Sequence, residues 1–103
     1  MSEIIKLEPG VAGFAEDKDQ ARLLRISKIL PTLDRGDSVV LDFSEIRYAT
    51  QSYVHALIGE TLRKYGEPVL ERLEFKNCSP QLRSLIELVV DYSLGGFSEA
   101  KAL

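Results

Sequence analysis

Ser38-Val39-Val40-Leu41-Asp42-Phe43, followed by Val54-His55-Ala56-Leu57-Ile58-Gly59-Glu60-Thr61-Leu62-Arg63-Lys64-Tyr65, is the stretch whose reading decides the fold. The first segment is a nearly continuous apolar run, the pattern expected of a strand covered on both faces in a parallel sheet. The second puts Val54, Leu57, Ile58, Thr61, Leu62 and Tyr65 on one helical face, with Gly66 well placed as the residue just past its end. A strand leading into a one-faced helix is half of a βαβ unit.

Outward from that pair, the alternation continues in both directions. Val69 to Phe75 contains a second strand at Leu73-Glu74-Phe75. Ser79-Pro80 then opens a helix, serine as the cap and proline at the first helical position. Leu82, Leu85, Ile86, Val89 and Val90 supply its apolar face. From Leu94-Gly95-Gly96 onward the tail is expected to be flexible or to pack as a short extra element. Towards the N-terminus, Asp17 is a helix cap with Gln20 three residues later. Leu23, Ile26 and Leu30 form the stripe of that helix, and Pro31 ends or kinks it. Glu3 to Glu8 is a short strand stopped by Pro9-Gly10, and Val11 to Ala15 is expected to return beside it as a small hairpin. Asp34-Arg35-Gly36-Asp37 is a turn.

These elements describe one α/β domain over residues 1–103, with a small, mostly parallel sheet and alternating strands and helices. The chain of 103 residues is too short for two cores. Its net charge is −3, and acids and bases alternate along it, so there is no basic footprint for nucleic acid. Apolar runs of four or five residues are too short for a membrane span. The opening Met1-Ser2-Glu3 has neither the basic region nor the apolar core of a signal peptide, and a cytoplasmic location is expected. Cys78 is the one cysteine, which excludes an internal disulfide. No metal-ligand cluster and no Gly-rich phosphate loop stands out, so neither a metal nor a cofactor is expected.

In a parallel α/β sheet the residues after each strand gather at one edge, where ligands and partners bind. That edge would carry Asp42 to Ser52 and Lys76 to Ser79. The stretch Val40-Leu41-Asp42-Phe43-Ser44-Glu45-Ile46-Arg47-Tyr48-Ala49-Thr50-Gln51-Ser52-Tyr53 resembles the core of the STAS superfamily, the sulphate transporter and anti-sigma factor antagonist domains. Their pattern is a strand ending Leu-Asp-Leu/Phe, a short loop, an aromatic, and an Asp-Ser-Ser-Gly-like helix start. The short bacterial STAS-like domains are the nearer match, and Phe75-Lys76-Asn77 before a capped helix also fits them.

The resemblance implies a STAS-like fold and a regulatory, protein-binding role in signalling. It makes Ser52 the candidate phospho-acceptor, because the second serine of the motif is phosphorylated in the anti-sigma factor antagonists. The implied partner is a histidine-kinase-like ATPase or anti-sigma-type kinase. A helix start tolerates an added phosphate, whose charge would repel a partner covering that surface. Two positions depart from the pattern. Thr50 stands for the motif aspartate, and Tyr53 for a glycine that permits close backbone approach, so Tyr53 either blocks the partner or anchors it.

Partner contact is expected from Asp42, Arg47, Tyr48, Thr50, Gln51, Tyr53 and Asn77. Each has a plainer reading. The hydroxyl of Ser52 or Thr50 can simply cap the helix. Asp42 can anchor its own loop through backbone N–H groups. Arg47 can be solvated, and Tyr48 and Tyr53 can be half-buried packing residues. A small enzyme or nucleotide-responsive domain would have to use Ser52, His55 and Cys78 at the same edge, with no third orienting group in view. The expected function is therefore non-catalytic binding.

Overall fold

The computed structural model describes residues 2–95. Its elements in chain order are β1 (Ser2–Lys6), β2 (Phe14–Ala15), α1 (residues 18–34), β3 (Ser38–Asp42), β4 (Tyr48–Ala49), α2 (residues 51–65), β5 (Leu73–Lys76) and α3 (Pro80–Ser93). The chain is a small α/β domain with parallel pairing throughout. The main sheet has the order β1-β3-β5, with Ile4 opposite Val40 and Val40 opposite Glu74. The expectation for the tail beyond Gly95 falls outside the described residues.

Consecutive strands step across this sheet in one direction. Right-handed crossovers then carry the connecting helices to the same face. Val39, Leu41 and Phe43 are buried beneath them, with Ile5, Leu7 and Leu73 alongside. The opposite face holds Ile4, Val40 and Glu74 and is open to different degrees. The expectation that β3 is covered on both faces is therefore wrong. Its apolar run is continuous, but only alternate residues are fully buried.

The expected β1–β2 hairpin is also absent. A 3₁₀ turn at Val11–Gly13, with Ala12 at φ 58° and Gly13 at φ 80°, steers the chain away from β1. β2 instead pairs in parallel with β4, Phe14 opposite Tyr48 and Ala15 opposite Ala49. Backbone bonds from Arg47 N–H to Gly13 O (2.9 Å) and from Thr50 N–H to Ala15 O (3.0 Å) hold the two segments together.

Asp17 caps α1 as expected, its carboxylate accepting from the N–H groups of Asp19 and Gln20. Pro31 does not end α1, which runs on to Asp34. The π turn Arg25–Ile29 immediately before it has already offset the hydrogen-bond ladder, with Leu30 N–H bonded to Arg25 O. The missing N–H and the ring of Pro31 fall where the helix is widened. The buried stripe runs Ala21, Ile29 and Leu33, at multiples of four that suit this underwound helix, with Leu24 half-buried beside it. Leu23 and Ile26, expected inside, are 65% and 54% exposed.

α2 carries a π turn of its own, His55–Gly59, packed against α1. A π turn leaves a helix carbonyl short of its usual donor. Arg25 reaches across from α1, and its Nη1 donates to Ala56 O at 2.8 Å. At the far end of the helices Tyr65 donates its hydroxyl proton to Asp34, and the Arg72 guanidinium donates to Leu33 O and to Asp37 O (3.1 Å). The last turn of α1 is thereby tied to the segment entering β5.

Gly59 gives a test of the α2 π turn. A Cβ there would lie 2.7 Å from Cδ2 of His55, whose ring lies along the helix over the glycine. Gly→Ala in a helix interior ordinarily gains about 1 kcal/mol. In chemical denaturation Gly59→Ala is expected to lose that gain or to destabilise. The same change made in a His55→Ala background is expected to recover about 1 kcal/mol.

Candidate functional site

The edge formed by the C-terminal ends of β3 and β5 is built around Asp42. Its Oδ1 accepts from Ser44 N–H and from Asn77 Nδ2, both at 2.9 Å. The Asn77 bond, and after it the Ser44 bond, hold the carboxyl below the usual carboxylate range. Asn77 adopts a left-handed backbone, φ 61°, which asparagine tolerates. Asp42 and Asn77 therefore clasp the ends of two strands. That bears out loop anchoring for Asp42 and gives both side chains a structural task. Lys6 adds an exposed ion pair to Glu45 at 3.1 Å.

From this clasp the chain runs through Ile46, which is buried, to Arg47 and β4. The stem of Arg47 lies against Gly13, so closely that a Cβ at Gly13 would sit 2.6 Å from its Cγ. Tyr48 is half-exposed and its ring meets Phe14 at 5.3 Å between centroids. Val11, on the turn before Phe14, is 88% exposed. Phe14 and Tyr48, with Val11 exposed on the turn that leads into them, thus make an apolar lip beside the start of α2. Sequence reasoning named Tyr48 but missed Val11 and Phe14, because it assigned them to a hairpin. The signal was present in two apolar residues set among Gly10, Ala12 and Gly13, where no core-facing periodicity exists.

At the helix start the two serine and threonine hydroxyls separate. Thr50 is the cap, its Oγ1 accepting from Tyr53 N–H at 3.1 Å. Gln51 and Ser52 follow in the first turn and are exposed. Ser52 is not the cap, so that plain reading passes to Thr50.

Tyr53 corrects the expectation of a partner anchor: it is 1% exposed and belongs to the core. The residue that replaces a small one at this position turns inward, because the next helical positions, Val54, Leu57 and Ile58, are buried too. Its hydroxyl has no hydrogen-bond partner among the described residues. Burial, and then the negative charge of Asp17, push that hydroxyl up to about 12.

The other reactive candidates do not converge: Cys78 lines this edge with Arg47, Tyr48 and Asn77, but His55 does not join it. His55 sits one position past Val54, but its ring lies over Gly59, a turn further along α2. Cys78 is half-buried; burial raises its thiol above the ordinary value, which disfavours the reactive thiolate. Among the described residues no group of three or more His, Cys, Asp or Glu side chains could hold a metal ion. None of the described helices is long and apolar enough to cross a membrane.

A family model described as a STAS-like domain of unknown function (DUF4325) matches residues 20–83, more than half of the chain. The chain belongs to this STAS-like family. Searches of curated proteins and of solved structures found no match. The matched span of the STAS-like domain covers nearly all of α1, the β3–α2 edge and the start of α3. The resemblance drawn from residues 40–53 thus lies inside it.

The inward tyrosine has a pH signature. A phenol whose pKa is raised on folding contributes stability that is fully present below pH 10 and is lost as pH rises towards 12. Tyr53→Phe keeps the ring and removes the unpartnered hydroxyl, so at neutral pH it is expected to leave stability within about 1 kcal/mol of the parent. Between pH 10 and 12 the parent should lose stability relative to Tyr53→Phe, by on the order of 2 kcal/mol. Tyr53→Ala should cost about 3–5 kcal/mol at neutral pH, and less relative to the parent as pH rises above 10, because it too lacks the phenol. Urea denaturation of the three proteins across that range checks all three outcomes.

Proposed function

We propose that this STAS-like domain is a non-catalytic regulatory module that binds a protein partner through the Tyr48–Ser52 edge, with phosphorylation of Ser52 releasing the partner. The observation that carries this reading is the juxtaposition of an exposed serine in the first turn of α2 with the exposed lip of Val11, Phe14 and Tyr48. Clustered apolar side chains on a surface mark sites of macromolecular contact, and aromatics are favoured anchors there. Arg47 stands beside them as an exposed cation.

The partner class follows from the family resemblance: a kinase of the histidine-kinase-like ATPase type, as for anti-sigma factor antagonists, in a bacterial cytoplasm. A docked kinase would reach Ser52 directly. The phosphate formed there lies near the N–H groups of the first turn, whose partial positive charge favours it. The same charge trapped under a partner costs several kcal/mol unless it is paired. One modification therefore leaves the domain folded and the interface broken. The anchoring role assigned to Tyr53 passes to Tyr48 and Phe14, which are the exposed aromatics of the edge.

The test needs stability and affinity measured side by side. Ser52→Asp is expected to melt within about 1 kcal/mol of the parent, since a charge at a helix start contributes a few tenths and the Thr50 cap is untouched. It should nevertheless lose partner binding, while Ser52→Ala keeps it. Phe14→Ala and Tyr48→Ala should each weaken binding by more than about 1 kcal/mol. Parent-like affinity for Ser52→Asp would remove the switch. Parent-like affinity for both aromatic variants would remove the edge as the interface.

A further inference from the structure

The outer edge of β5 offers a second surface, remote in role from the α2 start. Val39 N–H bonds to Arg72 O and Phe43 N–H to Lys76 O, so the even-numbered residues of β5 face β3. By the alternation of a parallel ladder, the backbone groups of Leu73 and Phe75 point the other way. Among the described residues no strand pairs with that edge. Beside it lies an apolar recess of about 200 Å³ lined by Leu70, Phe75, Cys78, Ile86 and Val90. A row of unpaired backbone groups over an apolar recess is a template for an extended strand.

We propose that this edge pairs with the same edge of a second copy, in antiparallel register about Phe75, to form a two-fold dimer with a continuous sheet. Of the registers centred on Glu74, Phe75 and Lys76, the charge order of Leu73-Glu74-Phe75-Lys76 favours the second, and Arg72, which a centre at Leu73 would set against Glu74, is already bonded to Leu33 O and Asp37 O. Opposed residues in an antiparallel pair must both face the partner strand or both face away, so the two-fold axis passes through a residue. An axis at Glu74 sets glutamate against glutamate, and one at Lys76 sets lysine against lysine. An axis at Phe75 sets Glu74 of each copy opposite Lys76 of the other, on the open face where both are exposed. The two Phe75 residues then meet on the helix side, at the recess.

α3 repeats the pattern. It begins just after β5 and runs back along it, and Arg83, Glu87 and Asp91 stand four residues apart on the side that borders the recess. Phe75 shares the recess with all three, so a copy paired at β5 brings its own Arg83, Glu87 and Asp91 up to this row of charges.

Sedimentation equilibrium of the full chain over a range of concentrations reads the outcome, with thermal melting as the control for folding. A reversible dimer is expected. Glu74→Lys and Lys76→Glu each replace two opposite-charge pairs with two like-charge pairs, and each should weaken the dimer about tenfold. Their combination restores both pairs and should return the dissociation constant to within about twofold of the parent. A monomer at every concentration overturns the proposal, as does a dimer indifferent to the single exchanges or unrestored by the pair. A dimer that forms only when residues 96–103 are removed would assign the edge to the chain's own C-terminal segment and overturn it equally.

Discussion

The arrangement of the domain depends on how α2 begins. Thr50 accepts the Tyr53 N–H and the Tyr53 ring enters the core, which fixes both the first turn of the helix and its rotation. With that rotation set, Val54, Leu57, Ile58, Thr61 and Leu62 lie inside. Gln51 and Ser52 have to lie outside. The residue just before the cap belongs to β4, so the same turn holds the strand that pairs with β2 and brings Phe14 onto Tyr48. One side chain turned inward thereby positions an exposed serine and an apolar lip on the same edge.

The rest of the scaffold makes that edge stiff. Asp42 and Asn77 join the ends of β3 and β5, and Ile46 buries the loop between them and β4. At the other end of the helices, Arg72 and Asp34 tie α1 to the β5 entrance and to α2. Between these two clasps the helices carry paired irregularities, the π turns of α1 and α2, bridged by Arg25. A domain with rigid ends and an exposed helix start holds the proposed docking surface already ordered, which would lower the entropic cost of binding.

Much of this was legible in the residues. The strands at Ser38 and Leu73, the caps Asp17 and Ser79 and the apolar face of α3 follow from patterns with a single physical solution. The resemblance carried by residues 40–53 was upheld by the family match. What failed depended on geometry that no local pattern encodes. The π turn of α1 offsets the face that follows it, so Ile29 and Leu33 are buried and Ile26 is not; before the turn the buried residue is Ala21 rather than Leu23. The open face of β3 depends on which way both crossovers turn, not on the composition of the strand. Tyr53 was assigned to the surface by analogy with a glycine. A tyrosine that follows an exposed serine is just as able to begin the buried face of a helix. The lip of Val11 and Phe14 arises from a parallel contact with residues more than thirty positions away.

Hydrogen exchange of the backbone amides, in the free chain and in complex with the proposed protein partner, tests the proposed docking edge most directly. New protection is expected to concentrate in residues 10–15 and 47–52, the lip and the first turn of α2. The amides of β1 and of the far ends of α1 and α2 should be unchanged. Protection that leaves residues 47–52 untouched and falls instead on the open face of the main sheet would contradict the proposed edge.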